Sequence, residues 1–212
     1  MRVRFAPEGW IFILPFIILA AVALLIQWYV AAILLGAVAA FLLNFFRDPH
    51  RAGSERHVDI LSPADGTVVL IKDIPDGEIW PGLTKQVSIF MSVFDVHVNR
   101  APMAARIVHY RHNPGKKIAA MSHKSSEENE QNLVVLTDAR GATIAFKQIA
   151  GLLARRIVFD KKEGDELARG ERVGMIKFGS RVDIFFPPIA HILVTAGDKV
   201  KAGLTIIAEI PE

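Results

Sequence analysis

The sequence predicts a mostly β domain, an antiparallel sandwich or barrel with few short helices, preceded by an α-helical membrane hairpin. Three observations predict this class. Residues 9–46 are 38 consecutive positions without a charged side chain. After them, ten short β-prone runs alternate with Gly, Pro and Asp, as is typical of antiparallel β proteins. A pattern that begins at Gly164 returns at Gly197, which indicates an internal repeat.

The apolar segment comes first and is too long for one membrane-crossing helix. A straight helix over its residues would be about 57 Å long, whereas the hydrocarbon core of a bilayer is about 30 Å thick. We therefore interpret it as two helices, Trp10–Ile26 and Val30–Phe46, with a turn at Gln27–Tyr29. A hairpin that crosses the bilayer and one that dips into a single leaflet both remain open, as does a buried soluble hairpin. A cleavable signal peptide fits poorly because the apolar run is too long.

Basic side chains flank the apolar segment on both sides. They are Arg2 and Arg4 before it, and Arg47, Arg51 and Arg56 after it. Because positively charged flanks stay in the cytoplasm, we expect the protein at the cytoplasmic face of the cell membrane. The expected organisation is a hairpin at 1–46, a polar linker at 47–57 and a β-rich domain at 58–212.

The β-rich domain is predicted from apolar runs bounded by turn residues. The runs are Val68–Ile71, Val87–Met91, Ile107–Tyr110, Leu133–Leu136, Thr143–Phe146, Ile157–Phe159, Val173–Ile176, Val182–Phe186, Ile192–Val194 and Thr205–Ala208. One helical patch is predicted at Lys147–Ala154, where Ile149, Leu152 and Leu153 would share a face.

The internal repeat consists of Gly164–Gly170 and Gly197–Gly203, at an offset of 33 residues. In each copy a Gly-Asp pair begins a turn and the second glycine precedes a strand. This pattern resembles the β repeats of lipoyl-like sandwiches, which carry biotin or lipoate on a lysine. The Met-Lys-Met and Asp-Lys-Ala settings of that lysine do not occur here, so we interpret the repeat as architecture.

The amino-acid composition excludes several kinds of chemistry. The chain has no cysteine, which excludes disulfides, thiolate zinc sites and a cysteine nucleophile. Its seven histidines include no pair at the i,i+4 spacing of a zinc-binding helix, so no metal is expected. The net charge of +3 suits an anionic lipid surface, and no nucleic acid partner is expected.

Three polar residues, Asp65, His97 and Ser180, are the candidates for chemistry. Ser180 follows Gly179 between two β-prone runs, and a serine so placed can attack its own preceding carbonyl. Taken singly, the three have plain alternatives: a turn aspartate, a packed core histidine and a Gly-Ser turn. Together they form the set that activates a hydroxyl, because the histidine takes the proton and the acid fixes the histidine tautomer.

Five motifs follow one another along the chain: Phe45-Phe46-Arg47-Asp48-Pro49, Ser62-Pro63-Ala64-Asp65-Gly66, Phe94-Asp95-Val96-His97-Val98-Asn99-Arg100, Glu128-Asn129-Glu130-Gln131-Asn132 and Phe178-Gly179-Ser180. In this order and spacing they resemble the phosphatidylserine decarboxylase proenzymes of the short bacterial and archaeal type. The resemblance covers nearly the whole chain.

The resemblance implies a self-processing enzyme. Ser180 would attack the Gly179 carbonyl to form an ester, and elimination would cleave the chain at 179/180 into a β chain, 1–179, and an α chain, 180–212. Ser180 would become a pyruvoyl group, the covalent cofactor, which forms a Schiff base with the substrate amine. The implied reaction converts phosphatidylserine into phosphatidylethanolamine and CO2. The implied partners are the phospholipid, the membrane and the enzyme's own two chains as a heterodimer, with further oligomerisation left open.

The resemblance also implies roles for individual residues. Asp65 would orient a base, and His97 would be the base in cleavage and the proton donor after decarboxylation. Longer family members have a second histidine where this chain has Arg100, which leaves the proton donor open. Arg100 is instead a candidate ligand for the lipid phosphate or carboxylate. Two further residues are candidate headgroup ligands, Asn129 and Asn132.

Three alternatives remain open from the sequence. No residue distinguishes the same chemistry on an ether-linked, archaeal-type phosphatidylserine. A non-enzymatic, membrane-tethered lipoyl-like domain would keep its chain intact. A serine hydrolase built from Asp65, His97 and Ser180 is disfavoured because the chain lacks a Gly-x-Ser-x-Gly motif.

Overall fold

The computed structural model describes residues 3–115, 129–151, 157–177 and 180–211. The chain divides into two compact units, Met1–His50 and Arg51–Glu212. The first is mainly helical and apolar, and the second consists of antiparallel strands. This confirms the fold class predicted from the sequence.

The first unit is a helical hairpin closed by a short β ladder. Helix α1 (Trp10–Leu25) and helix α2 (Tyr29–Phe45) pack against each other. Strand β1 (Val3–Phe5) pairs antiparallel with strand β2 (Arg47–Pro49). The first three residues of the expected linker therefore form a strand.

The turn between the helices, Ile26–Trp28, has the expected length of three residues but begins one residue earlier than expected. Gln27 has a φ of +62°, in the left-handed region, and the Trp28 amide donates to the Ala23 carbonyl at 2.8 Å. These two features reverse the chain in a single tight turn. Tyr29, expected in the turn, is already the first residue of α2.

Both helices expose apolar side chains. Ile11, Leu25 and Val30 are 76%, 82% and 74% exposed. Contiguous apolar surface of this kind marks a site of contact with lipid or protein. The segment Pro7–Leu25 is long and apolar enough to cross a membrane, whereas α2 is a shorter apolar helix of 17 residues.

The second unit contains one large sheet and two small ones. Its strands are β3 (Asp59–Leu61), β4 (Gly66–Asp73), β5 (Lys85–Met91), β6 (Val98–Arg100), β7 (Ala105–Asn113), β8 (Gln131–Thr137), β9 (Thr143–Ala150), β10 (Ile157–Phe159), β11 (Glu166–Leu167), β12 (Arg172–Ile176), β13 (Ser180–Phe186), β14 (His191–Ile192), β15 (Lys199–Val200) and β16 (Ile206–Glu209). The large sheet has the order β11-β7-β8-β9-β13-β5-β4-β15, and the small sheets have the orders β10-β12-β6 and β14-β16-β3.

The internal repeat supplies both edges of the large sheet. β11 lies in the first copy and pairs with β7, and β15 lies in the second copy and pairs with β4. Gly164 and Gly197 have φ values of +93° and +101°, and Gly170 and Gly203 have +71° and +69°. Glycine adopts this region without steric cost, so the matching glycines set the same pair of turns in each copy.

The differences from the predicted strands have physical reasons. Lys147–Ala150, predicted as the start of a helix, is the second half of β9, because this segment pairs on both sides, with β8 and with β13. Residues 152–154 of that predicted helix lie outside the described residues. β14 ends at Ile192, before the predicted end at Val194. The strands β1, β2, β3, β6, β11 and β15 were not predicted, because two or three residues carry too little alternation to be recognised.

The large sheet has two chemically different faces, because successive residues of a strand point to opposite sides. On β13, Val182 and Ile184 belong to the main hydrophobic core. Ser180 therefore lies on the core face. Arg181 and Asp183 lie on the opposite, outer face.

Candidate active site around Ser180

Ser180 begins a central strand of the large sheet. Its partners on the neighbouring strands are Met91 of β5 and Ala150 of β9. The serine is fully buried, and its Oγ donates to the Met91 Sδ at 3.2 Å. Because a thioether is a weak acceptor, this contact orients the hydroxyl without engaging it strongly. Gly179, the other half of the expected cleavage site, lies outside the described residues.

His97 lies just before β6 and is fully buried. Its Nδ1 is 3.0 Å from the Asp95 carbonyl oxygen. Since a carbonyl only accepts, Nδ1 carries the proton, and in the neutral form of the ring the basic lone pair lies on Nε2. The His97 carbonyl accepts from the Ile176 amide at 3.3 Å. The fold therefore brings a histidine of defined tautomer to the strand that ends four residues before Ser180.

Three buried side-chain amides form a hydrogen-bonded row on the core face, which we call the amide row: Asn99, Gln148 and Asn132. Asn132 Nδ2 donates to Gln148 Oε1 at 3.4 Å, and Gln148 Nε2 donates to Asn99 Oδ1 at 2.8 Å. At the end of the row opposite Asn99, His112 Nδ1 donates to Asn132 Oδ1 at 2.6 Å. Each amide accepts on one side and donates on the other, so the bonds share one direction and polarise one another.

The Asn99 end of the amide row lies near Ser180 through a shared contact with Met91. Asn99 Nδ2 lies 3.4 Å from the Pro63 carbonyl oxygen and 3.8 Å from the Met91 Sδ. The Met91 sulfur thus contacts both the serine hydroxyl and the last amide of the row. Burying an amide costs free energy unless it is hydrogen-bonded, so the row holds its members, and through them the Met91 sulfur, in a defined arrangement.

Asp65 is hydrogen-bonded to Arg51 rather than to His97. Its Oδ2 accepts from Arg51 Nη2 at 2.8 Å, and its Oδ1 accepts from Arg51 Nη1 and, at 2.8 Å, from the Ala202 amide. Among the described residues, Asp65 makes these contacts in place of the expected hydrogen bond to His97, the candidate base. The link to the serine is indirect, because the carbonyl of Pro63, two residues earlier, accepts from the amide row.

The three candidate substrate ligands differ in their surroundings. Arg100 is 9% exposed, and its Nη1 donates to the Gly170 carbonyl at 3.1 Å, so it fastens a turn of the internal repeat. Asn129 is fully buried and donates from Nδ2 to the Ala150 carbonyl at 2.7 Å. Since Ala150 pairs with the serine, Asn129 is one residue removed from it. Asn132 belongs to the amide row.

Sequence reasoning did not identify Met91 or Gln148, and it quoted Asn99 within a motif without giving it a role. A signal existed for Gln148. It is a polar residue at an inward position of an alternating strand, between Phe146 and Ala150, which are both in the core. A buried amide at such a position indicates a polar partner on a neighbouring strand.

Comparison with known proteins gives a consistent result. The family model described as phosphatidylserine decarboxylase matches residues 38–208. A protein of Magnetococcus marinus named phosphatidylserine decarboxylase proenzyme is 44% identical over 201 residues, which cover 94% of this chain and 92% of that protein. Proteins of the same name from Solibacter usitatus and Symbiobacterium thermophilum are 49% identical over 193 residues and 41% identical over 207 residues. These alignments cover 90% of both chains in the first case, and 98% of this chain and 96% of its relative in the second.

Proposed function

Because the chain belongs to the phosphatidylserine decarboxylase family, we propose that it is a self-processing, pyruvoyl-dependent enzyme that converts phosphatidylserine into phosphatidylethanolamine and CO2 at the cytoplasmic face of a membrane. The observation that carries the proposal is Ser180. It is a buried serine at the start of a central strand, and it occupies the position that the family resemblance assigns to the self-cleaving nucleophile.

The processing step uses the Ser180 hydroxyl. Its Oγ attacks the Gly179 carbonyl carbon, the bond from that carbon to the Ser180 nitrogen breaks, and the hydroxyl proton passes to the leaving nitrogen. The resulting ester eliminates: a base removes the Cα proton, the Cβ–Oγ bond breaks, and the upstream chain leaves as a carboxylate. Water then hydrolyses the dehydroalanine with release of ammonia, which leaves a pyruvoyl group at the start of 180–212.

His97 is the proposed base for the serine proton. Its Nδ1 is engaged with the Asp95 carbonyl oxygen, which leaves the basic lone pair on Nε2. Its backbone is bonded to Ile176 on the strand that leads to the serine. Asp65 acts at a distance in this proposal, by fixing the loop whose Pro63 carbonyl accepts from Asn99.

The surroundings of Ser180 are suited to a pyruvoyl group. When present, this group supplies a carbonyl that takes up the electron pair left by the departing CO2. The position is fully buried, and exclusion of water protects a reactive ketone from side reactions. Asn99 Nδ2, 3.8 Å from the Met91 Sδ, is the nearby donor of the amide row.

The two chains produced by cleavage would stay together. The segment 180–212 contributes β13 to the interior of the large sheet and β15 to its edge. It also contributes two strands, β14 and β16, to a small sheet whose third strand, β3, lies upstream of the cleavage site. Because these ladders persist when one peptide bond is cut, the proposed product is a heterodimer of 1–179 and 180–212.

The apolar first unit supports a membrane location. Withdrawing a phospholipid from a bilayer costs about 0.8 kcal/mol for each CH2 exposed to water, so a site held at the membrane avoids that cost. The basic residues on both sides of the apolar segment support the cytoplasmic face. Asn129 and Asn132 are the proposed headgroup ligands: both are buried amides, and Asn129 donates to the carbonyl of Ala150, the cross-strand partner of Ser180.

The test is release of labelled CO2 from phosphatidylserine that carries the label in its serine carboxyl group. The detergent-solubilised full chain should release it, and the Ser180→Ala variant should not. A non-enzymatic tethered domain predicts no release from either protein. Ester-linked and ether-linked substrates compared side by side then decide which lipid is preferred.

A further inference from the structure

The outer face of the large sheet contains a charged cleft that the proposed reaction does not use. It encloses about 510 Å³ between the sheet and the loop that follows β4. Its charged lining residues are Lys72, Glu78, Arg111, Lys147, Arg181 and Asp183. Four of these are cations and two are acids, so the lining has an excess of two positive charges among the residues that the structure describes.

The floor of the cleft is formed by charged residues of β13 and β9. Arg181 pairs with Asp183 through two contacts, Nε to Oδ1 at 2.8 Å and Nη2 to Oδ2 at 3.0 Å. Both are nearly inaccessible to water, with side-chain exposures of 7% and 1%. Lys147 is the cross-strand partner of Asp183 and lies 5.8 Å from the centre of the Phe185 ring. The Asp183 carboxylate is therefore the acidic neighbour of two cations on the floor, Arg181 and Lys147.

The rim adds exposed charged side chains around this floor. Lys72 and Arg111 are exposed and lie on β4 and β7, on opposite sides of the cleft, and Glu78 is an exposed acid on the loop after β4. Two amides, Gln86 and Gln131, also line the cleft. Long basic side chains at the rim can turn toward a ligand while the floor stays fixed by the sheet.

Lys147 on the floor of the cleft is surrounded by charges of both signs. Burial lowers the pKa of Lys147, the carboxylates of Asp183 and Glu78 oppose that effect, and the positive charges of Arg111 and Arg181 lower the pKa further. Burying like charges together costs free energy. An anion in the cleft would relieve this repulsion and would accept hydrogen bonds from three basic residues, Lys72, Arg111 and Lys147.

We propose that the outer cleft is an anion site that binds a phosphate group. The site is separate from the proposed chemistry, because Arg181 and Ser180 are adjacent on β13 and point to opposite faces of the sheet. The shared chemistry is a phosphate with at least one negative charge. The phosphate belongs either to an anionic phospholipid headgroup or to a soluble phosphate compound.

Calorimetric titration of the detergent-solubilised full chain tests the proposal. The probes are inorganic phosphate, glycerol 3-phosphate and short-chain phosphatidylglycerol. Lys147→Met removes a floor cation, and Arg111→Gln removes an exposed rim cation without disturbing the core. Arg106→Gln is the matched control, because Arg106 lies on the same strand as Arg111, has a 62% exposed side chain and does not line the cleft.

Each cleft variant should bind the phosphate probe about tenfold more weakly than the wild type, whereas Arg106→Gln should bind as the wild type does. Binding of the two soluble probes assigns the site to a soluble phosphate compound, and binding of phosphatidylglycerol alone assigns it to a lipid headgroup. The proposal is overturned if no probe binds, or if the cleft variants weaken binding no more than Arg106→Gln does. Because the readout is binding, the result does not depend on processing or decarboxylation.

Discussion

The Ser180 hydroxyl donates to the Met91 sulfur at 3.2 Å, and the two residues face each other across the β5–β13 ladder. The same sulfur lies 3.8 Å from Asn99 Nδ2. Met91 therefore joins the candidate nucleophile to the amide row. A methionine would ordinarily be assigned to core packing alone, but this one has a polar contact on each side.

Met91→Leu should slow self-cleavage with little effect on folding. The replacement nearly conserves volume, which limits the loss of stability to below about 1.5 kcal/mol, but it removes the acceptor of the serine hydroxyl. Loss of one such contact should slow cleavage about fivefold, measured on denaturing gels as a time course after cell-free synthesis. Met103→Leu, at an equally buried methionine of the same core, is the control. Equal rates in both variants would remove Met91 from the site.

Gln148→Met should both destabilise the protein and slow its cleavage. It leaves Asn99 Oδ1 and Asn132 Nδ2 without their partner in the amide row, which should cost about 1–3 kcal/mol of unfolding free energy for each buried group left unsatisfied. Gln86→Met is the control, since Gln86 is also buried but lies on the outer face, where it donates to Ser88 Oγ at 2.9 Å.

The two glutamine variants are compared by denaturant unfolding and by the cleavage time course. Both should lose stability, and only Gln148→Met should process slowly. If Gln148→Met is destabilised yet cleaves as fast as Gln86→Met, the amide row has a structural role only.

His97→Gln should reduce the rate of self-cleavage about 100-fold or more, because a positioned general base contributes about 10²–10⁴ in rate. The measurement is the fraction of intact chain remaining over time. His191→Gln, at an exposed histidine of β14, should cleave at the wild-type rate. Wild-type cleavage in His97→Gln would assign the base to another residue.

Arg51→Met should lower the free energy of unfolding by about 3–5 kcal/mol, because it leaves the carboxylate of Asp65 buried without its cation. Both side chains of this pair are at most 10% exposed. Arg56→Met removes an arginine whose side chain is 64% exposed and should cost less than about 1 kcal/mol. Chemical denaturation of both variants provides the comparison.

The same pair distinguishes two roles for Asp65. If Asp65 acts by holding its loop, Arg51→Met and Asp65→Asn should slow cleavage to a similar extent. Abolition of cleavage by Asp65→Asn, with normal cleavage in Arg51→Met, would mean that Asp65 touches the reacting groups directly.

Much of the fold could be predicted from the sequence because its signals are local. Hydropathy located both helices, and short apolar runs located six of the eight strands of the large sheet, all except β11 and β15. The repeat at Gly164 and Gly197 identified two equivalent turns. The pairing of Lys147–Ala150 on both sides could not be predicted, since it depends on strands far away in the sequence.

The sequence predicted which residues form the candidate site, but it did not predict the contacts between them. Motifs singled out Asp65, His97 and Ser180, and a catalytic set of these types suggested that the acid would orient the histidine. The structure instead pairs Asp65 with Arg51, a residue interpreted as part of a membrane flank and linker. Contacts that depend on tertiary packing produce no local sequence pattern. For the same reason the contact between Met91 and Ser180 was not predicted.

The central claim is that Ser180 cuts the chain before itself and becomes a ketone. Intact-mass analysis of the purified wild-type protein tests it most directly. We expect two polypeptides, 1–179 and 180–212, with the smaller one resistant to Edman degradation and carrying the mass of a pyruvoyl group in place of serine. We expect a single full-length chain from Ser180→Ala. A wild-type protein that remains one chain with an unmodified serine at position 180 would contradict the account.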